Sequence, residues 1–503
     1  MQSIFLGAVW LTAANLLMRL ASMAFQVYTS RVLGAAGVGL LQLVFTVGAL
    51  GMTLGTAGVR VAATCLVAEE YGHGRAGGIR RAVGACLGYG AVLSTLAAAG
   101  LYLASGYLAS RWIGDPRALP AVRLYALALP LNCLWAVLAG YFTASNQIRH
   151  LVTVQILDRL LNMAITFPLL RFWAGTDVEK ACCAIVGGGG LATALSFCAL
   201  LARYLRSRPP RDSRTPPVGR RLLRLGVPLA VGEIARSGLS TLENLLIPRG
   251  LERSGGSREA AMSAYGAIHG MTFPAMMLPA VVLGSLSDLM IPTLARTKAA
   301  GDRAGMERML RICLRAGLLY ALGVMGFFLL CGRSLGQLVY HNETAGRYLG
   351  LFAPVLLILY LDAIVDGLLK GLIEQVASMR YNTLTSALEV ALLWVLLPRY
   401  GVDGFFFSFV LTHGLNFFLS IARLLKVTRF APRWGYVCRA AGAAGFALLL
   451  TALATAPLET APLLPTVLVR GGLFLGLMAL GCRLSRLTLR PEPASPWVLP
   501  PKA

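Results

Sequence analysis

Charged residues are scarce in this chain. Only 14% of its 503 residues carry charge, and 22 acidic side chains stand against 46 basic ones. Lysine occurs only at Lys180, Lys298, Lys370, Lys426 and Lys502, so arginine supplies nearly all the positive charge. Soluble domains carry about 25% charged residues, so a soluble fold is excluded. Histidine is sparse as well: His73, His150, His269, His341 and His413 are scattered, with no H-E-x-x-H. The ten cysteines form no CxxC or Cys/His pattern, so neither a metal nor a disulfide framework is expected; they read as small buried hydrophobes. Gly187-Gly-Gly-Gly190 lacks a following Lys-Ser/Thr and is no phosphate loop; close helix packing accounts for it. No loop is long enough for a catalytic domain. No catalytic residue and no cofactor is expected, and an enzyme is not expected.

What remains is apolar. Hydrophobic residues make up 57% of the chain, with mean hydropathy +0.69. A bilayer crossing takes about 20 residues, and on that measure we expect an all-α polytopic membrane protein of about fourteen transmembrane helices. The first apolar run, 4–28, has no basic leader before it and outlasts a signal peptide, so it is expected to stay as the first helix. The runs 39–66, 262–292 and 348–374 exceed one crossing; Pro274, Pro279 and Pro292 predict a kink in the second of these.

The formal net charge is +24. Its cations cluster in alternate loops, as the positive-inside rule requires, which speaks against nucleic acid as a partner. The richest cluster, 203–224, is also rich in proline and reads as an extended linker. It is placed in the cytoplasm, and counting spans puts the N-terminus and C-terminus there too. Loop 249–260, on the opposite side, breaks the trend with Arg249, Arg253 and Arg258. The linker divides the chain into an N-terminal six-helix lobe (1–203), a basic segment (204–221), a C-terminal six-helix lobe (222–430) and two added helices with a tail (431–503).

Some polar residues lie where lipid would forbid them. An arginine at mid-membrane depth costs several kcal/mol unless it faces protein or water. Run 4–28 holds Asn15, Arg19 and Gln26; run 39–66 holds Gln42, Thr46, Thr53, Thr56 and Arg60. Helix 222–248 places Glu233, Arg236, Ser240 and Glu243 or Asn244 along one stripe, with Glu233 and Arg236 able to pair. Helix 348–374 spaces Asp362, Asp366 and Lys370 four apart, and helix 151–172 carries Gln155, Asp158, Arg159 and Asn162. The stripe Ser408, Thr412, Asn416 and Ser420 reads as glue between helices. The central charges read instead as walls of a polar pathway.

Asn15-Leu-Leu-Met-Arg19, Thr29-Ser-Arg-Val-Leu-Gly34, Gly37-Val-Gly-Leu-Leu-Gln42 and Leu66-Val-Ala-Glu-Glu70 resemble the opening of the stage V sporulation protein B / polysaccharide biosynthesis family. That family lies within the multidrug/oligosaccharidyl-lipid/polysaccharide (MOP) flippase superfamily. Tyr265-Gly266, Pro274, Gly284 and Pro292 extend the likeness into the second half. The resemblance implies a MATE-like fold: two six-helix bundles around a central cavity, working by alternating access in the bacterial cytoplasmic (inner) membrane. It implies a lipid-linked saccharide as substrate, a lipid II-like peptidoglycan precursor or a polysaccharide unit on a polyprenyl pyrophosphate. Related lipid II flippases carry a first-helix arginine where Arg19 falls; where they hold an Arg-Asp pair six residues on, this chain has Phe25-Gln26.

The expected substrate-binding set is Arg19, Arg236, Glu233, Glu243, Asn244, Arg60, Asp362 and Asp366. Arg19 and Arg236 would meet the pyrophosphate. Glu233 and Glu243 would limit the excess charge or take up a proton. The expected partners are membrane lipid, H⁺ or Na⁺ as coupling ion, and cell-envelope synthesis proteins. The alternative is a Na⁺- or H⁺-coupled multidrug/cation antiporter of the same superfamily, in which acidic residues would dominate the site. A membrane glycosyltransferase is disfavoured by the short loops.

Overall fold

The computed structural model describes residues 2–56, 58–72, 76–145, 147–175, 177–207, 219–457, 462–485 and 487, and every regular element among them is helical. The heart of the basic linker (208–218) and the tail past 487 lie outside the described residues, as do the side chains of Asn15 and Asp288. The chain divides into two compact units, Met1–Gly270 with Leu397–Gly401, and Met271–Leu396 with Val402–Ala503.

The first unit opens with α1 (Gln2–Thr56), which is broken at Gly34 (φ 66, ψ 173). That positive φ is open to glycine and strained for other residues. At 1.5 Å per residue the helix is about 80 Å long, more than twice a hydrocarbon core of about 30 Å. The break therefore lets one run of helix supply two crossings. After Gly58 (φ 71) comes α2 (Val59–Gly72), and then α3 (Ala76–Tyr107), which ends in a π-helical turn, Leu108–Ile113. Next are α4 (Leu119–Ala144), α5 (Ile148–Pro168) with a π turn Leu169–Ala174, and α6 (Val178–Ser207). The unit closes with α7 (Gly219–Arg253) and α8 (Arg258–Tyr265), which leads into a π-helical stretch, Gly266–Thr272. Its core joins Leu66, Val83, Phe142 and Tyr204, all buried. The backbones of α1 and α8 meet directly: a Cβ on Gly266 would sit 1.9 Å from the carbonyl oxygen of Ala35, so no larger residue fits.

In the second unit α9 (Phe273–Met277) and α10 (Ala280–Ala299) are separate helices, with Pro279 at the joint where a kink is expected. The long α11 (Arg303–Tyr340) follows. Then come α12 (Glu343–Phe352) and α13 (Val355–Gly371), bent from each other by 60°. Next, α14 (Gln375–Thr428) is broken at Gly401 (φ 56, ψ −131) as α1 is at Gly34. The last two helices, α15 (Trp434–Ala454) and α16 (Leu463–Leu484), pack on α11 through Tyr436, Ala440, Phe474 and Met478.

By length and apolarity alone, eight described helices can cross a membrane, or nine if the bent pair α12–α13 counts as one span. The distance from fourteen has a physical origin. Two of the eight, Leu17–Tyr71 and Gln375–Thr428, are each long enough for two crossings. Helices α5, α7 and α10 interrupt their apolar residues with charge, at Asp158 and Arg159, at Glu233 and Arg236, and at Arg296 and Lys298. Large apolar side chains lie bare along the exterior, among them Leu103 and Phe172, each 83% exposed. Such a surface is stable only against lipid.

Candidate functional site: a polar cavity within the first unit

The expected site residues fall into three settings. Arg19, on α1, is exposed beside the equally exposed Leu17 and Leu20. Arg60, at the start of α2, and Arg236, on α7, are exposed too. Among the described residues no ion pair engages any of the three, and none joins Glu233 to Arg236. A pair three residues apart on a helix is worth only about 0.2–0.5 kcal/mol, too little to fix two long side chains. Within the first unit, Glu243 and Asn244 are half-buried. The Tyr265 hydroxyl donates to Asn244 Oδ1 (2.9 Å), and Asn244 Nδ2 donates to the Ser240 carbonyl (2.8 Å). Farther along α7, Thr53 Oγ1 donates to Ser237 Oγ (3.1 Å).

The acids of the second unit are engaged at short range. Asn416 Nδ2 donates to Asp362 Oδ2 (2.9 Å), tying α13 to α14. Asp366 accepts from Ser378 Oγ and pairs with Lys370 Nζ at 2.6 Å. Arg423 pairs with Glu374 at 2.8 Å. Ser408 and Thr412, by contrast, return their hydroxyls to their own helix. Of that stripe, Asn416 is the member that grips a neighbouring helix.

A polar hollow lies elsewhere. A cavity of about 560 Å³ opens within the first unit, walled by α1, α4, α5 and α6. Its polar wall includes Gln26, Gln42, Asn132, Asp158, Arg159 and Asn162. Trp135 and Tyr125 add aromatic surface. Gln26 Nε2 donates to the Gly270 carbonyl (3.1 Å), Asn132 Nδ2 to Ala128 (3.0 Å), and Asn162 Oδ1 accepts from Thr166 Oγ1 (3.1 Å). Each amide therefore keeps a second group for the cavity. Beside the cavity, Asp158 Oδ1 and Trp135 Nε1 are enclosed and have no hydrogen-bond partner among the described residues. The glycine run Gly187–Gly190 lets α6 approach: a Cβ on Gly188 would meet Thr166 Oγ1 at 2.3 Å, and one on Gly190 would meet Ala128 at 3.0 Å. Close packing there is borne out, and Gly189 and Gly190 also form part of the cavity wall.

Sequence reasoning singled out Gln26, Gln42, Asp158, Arg159 and Asn162 as misplaced polar residues but did not gather them into a site. Asn132 and Trp135 went unnoticed. The one available signal was Asn132, an amide inside an otherwise apolar stretch of α4.

The fold is shared with solved structures of transporters. The family described as "Polysaccharide biosynthesis protein" matches residues 4–298, and the chain belongs to it. Among curated proteins, stage V sporulation protein B of Bacillus subtilis (strain 168) is 21% identical over 440 residues, covering 85% of this chain and 84% of the relative. Sporulation protein YkvU of the same organism is 20% identical over 318 residues, covering 60% and 70%. Among solved structures, the lipid II flippase MurJ in an inward closed conformation superposes with TM-score 0.72 at 11% identity, over 94% of this chain and 99% of that one. An inward-facing multidrug resistance MATE transporter gives 0.61 at 15% identity, over 83% and 100%. The chain is thus a multi-pass membrane protein of the polysaccharide biosynthesis protein family, with a fold it shares with those solved transporters.

Proposed function

We propose that this protein flips a polyprenyl-pyrophosphate-linked saccharide from the inner to the outer leaflet by alternating access. The observation that carries the reading is Arg19: an exposed guanidinium in an apolar helix, flanked by Leu17 and Leu20, with no ion pair among the described residues. Held at membrane depth, such a cation costs about 2.5–3.5 kcal/mol on insertion scales. An anionic headgroup offsets that cost, and a pyrophosphate accepts the forked donors of arginine in bidentate fashion. Arg236 and Arg60, also exposed, are the further cations of this mechanism. Glu233 and Glu243 limit the charge or exchange a proton, and Asn244, Asp362 and Asp366 complete the set. The polyprenyl tail stays in lipid, so only the headgroup need be enclosed. The proposed setting is the bacterial cytoplasmic membrane, with both termini in the cytoplasm, coupling to H⁺ or Na⁺, and cell-envelope synthesis proteins as partners.

The experiment is reconstitution into vesicles with fluorescent polyprenyl-pyrophosphate saccharide, plain phospholipid, or an organic cation as cargo. The expected result is translocation of the lipid-linked saccharide alone. Ion-driven efflux of the organic cation without movement of the lipid would sink the proposal.

A further inference from the structure

Arg123 takes no part in the polar cavity, although its helix does. On α4, Tyr125, Ala128 and Asn132 line the cavity, while Arg123 lies exposed on the exterior with Leu124 and Leu127. On the neighbouring α3, Leu96 and Leu103, seven apart on one face, are bare as well. Large apolar side chains in the open are stable against lipid, not water, so this arginine stands on a lipid-covered face. Its depth follows from the helix. The paired Asp115 and Arg117 mark the aqueous side, and Arg123 comes four residues after Leu119, about 6 Å into α4. A headgroup layer is about 5–7 Å thick, so Arg123 lies where lipid phosphates give way to acyl chains.

A cation at that level reaches for the surface on a loose side chain. Arg123 is held instead. Its guanidinium lies over the Tyr102 ring, 5.3 Å from the centroid, and its Nε donates to Ser105 Oγ (3.3 Å). The buried Ser105 hydroxyl donates in turn to the Tyr102 carbonyl (2.6 Å), which leaves its oxygen free to accept from Arg123. Among the described residues no ion pair engages Arg123, and no hydrogen bond takes up its Nη groups. Two contacts with α3 thus fix a guanidinium whose fork stays open, and a ligand arriving there finds part of the ordering already done.

We infer that Arg123, set in place by Tyr102 and Ser105, is a binding site for the phosphate of a bilayer phospholipid. The two open Nη groups match two phosphate oxygens in bidentate fashion. The acyl chains then run along the bare Leu96, Leu103 and Leu127. Three helices, α4, α5 and α6, separate this end of the unit from the basic linker, so the lipid belongs to the leaflet opposite that linker. The site needs no cargo and stands independently of the flippase reading.

The test uses the full chain in detergent with a photoreactive benzoylphenylalanine in place of Leu127. It is titrated with dioleoylphosphatidylglycerol or with dioleoylglycerol, which has the same tails and no phosphate. Lipid adducts at position 127 are counted by mass spectrometry after illumination. The expected result is saturable labelling by phosphatidylglycerol, about tenfold tighter than by dioleoylglycerol, with the preference lost in Arg123→Gln. Arg123→Lys keeps the charge without the fork and should fall between the two. Tyr102→Leu should weaken labelling about threefold by freeing the guanidinium.

Arg123 is exposed, and an unaltered size-exclusion profile shows that each variant folds. Dioleoylglycerol labelling as tightly as phosphatidylglycerol would show that only the tails are held, and would overturn the inference. So would phosphatidylglycerol labelling undiminished in Arg123→Gln. Inorganic phosphate displacing the lipid at equal concentration would show a site for a free anion, and would overturn the lipid assignment.

Discussion

The two units treat similar polar side chains in opposite ways. In the second unit the acids meet partners at short range: Asp362 with Asn416, Asp366 with Ser378 and Lys370, Glu374 with Arg423. In the first unit Asn132, Asp158, Arg159 and Asn162 border a cavity of about 560 Å³, and Asp158 and Trp135 keep buried polar atoms unpartnered. A polar group inside a membrane protein can clasp two helices or wait for a ligand, and residue type does not say which. The surroundings do: Asp362 and Asn416 each also keep one enclosed oxygen without a partner among the described residues, and what sets the Asp158 neighbourhood apart is the cavity beside it.

Four substitutions sharpen or break this contrast. The largest effect on stability is expected from Asn416→Leu, which strips the half-buried Asp362 carboxylate of its donor and costs about 3 kcal/mol; thermal unfolding in detergent should move down by several degrees. Replacing both residues by leucine should recover much of the loss, because an apolar pair leaves nothing unsatisfied. A double variant no better than the single would show that Asp362 serves something other than the clasp.

Arg221 pairs with Glu69 (2.5 Å) and with the buried Glu70 (2.9 Å), joining the start of α7 to the end of α2. Arg221→Ala should cost about 1–3 kcal/mol by leaving Glu70 unpaired, and adding Glu70→Gln should suppress part of that loss. Arg249→Ala should cost about 1 kcal/mol in the same unfolding measurement, since its guanidinium closes the end of α3 through the Arg111 and Trp112 carbonyls. The smallest effect on stability is expected from Gly189→Val, whose side chain would enter the cavity from the wall beside Asn162, 3.4 Å from the new Cβ. Unfolding should shift by less than about 1 kcal/mol, while translocation falls about tenfold from a narrowed pocket. A variant that transports normally with the cavity filled would remove the first unit's claim to be the binding half.

Much of this was legible in the sequence, and the reason is depth. A charge in an apolar run announces itself, so Arg19, Glu233, Arg236, Glu243 and Asp362 stood out at once, and the membrane class followed from composition. What stayed hidden depends on partners distant in the chain. Trp135 looks like any apolar residue of α4 until α5 brings Asp158 to the same space. The cations of loop 249–260 look like an exception to the charge rule. Yet Arg249 and Arg258 donate to the terminal carbonyls of Arg111, Trp112 and Ile113, more than a hundred residues earlier. Cations at a helix C-terminus are favoured there whatever the loop's side of the membrane.

The central claim is that Arg19 meets the anionic headgroup of the cargo. The most direct measurement is the translocation rate of a fluorescent polyprenyl-pyrophosphate saccharide in vesicles holding wild type, Arg19→Lys or Arg19→Ala at equal density. The account predicts at least a tenfold fall for alanine, the loss of one charge-assisted contact of about 1.5–3 kcal/mol, with lysine between the two. An alanine variant as fast as the wild type would contradict it.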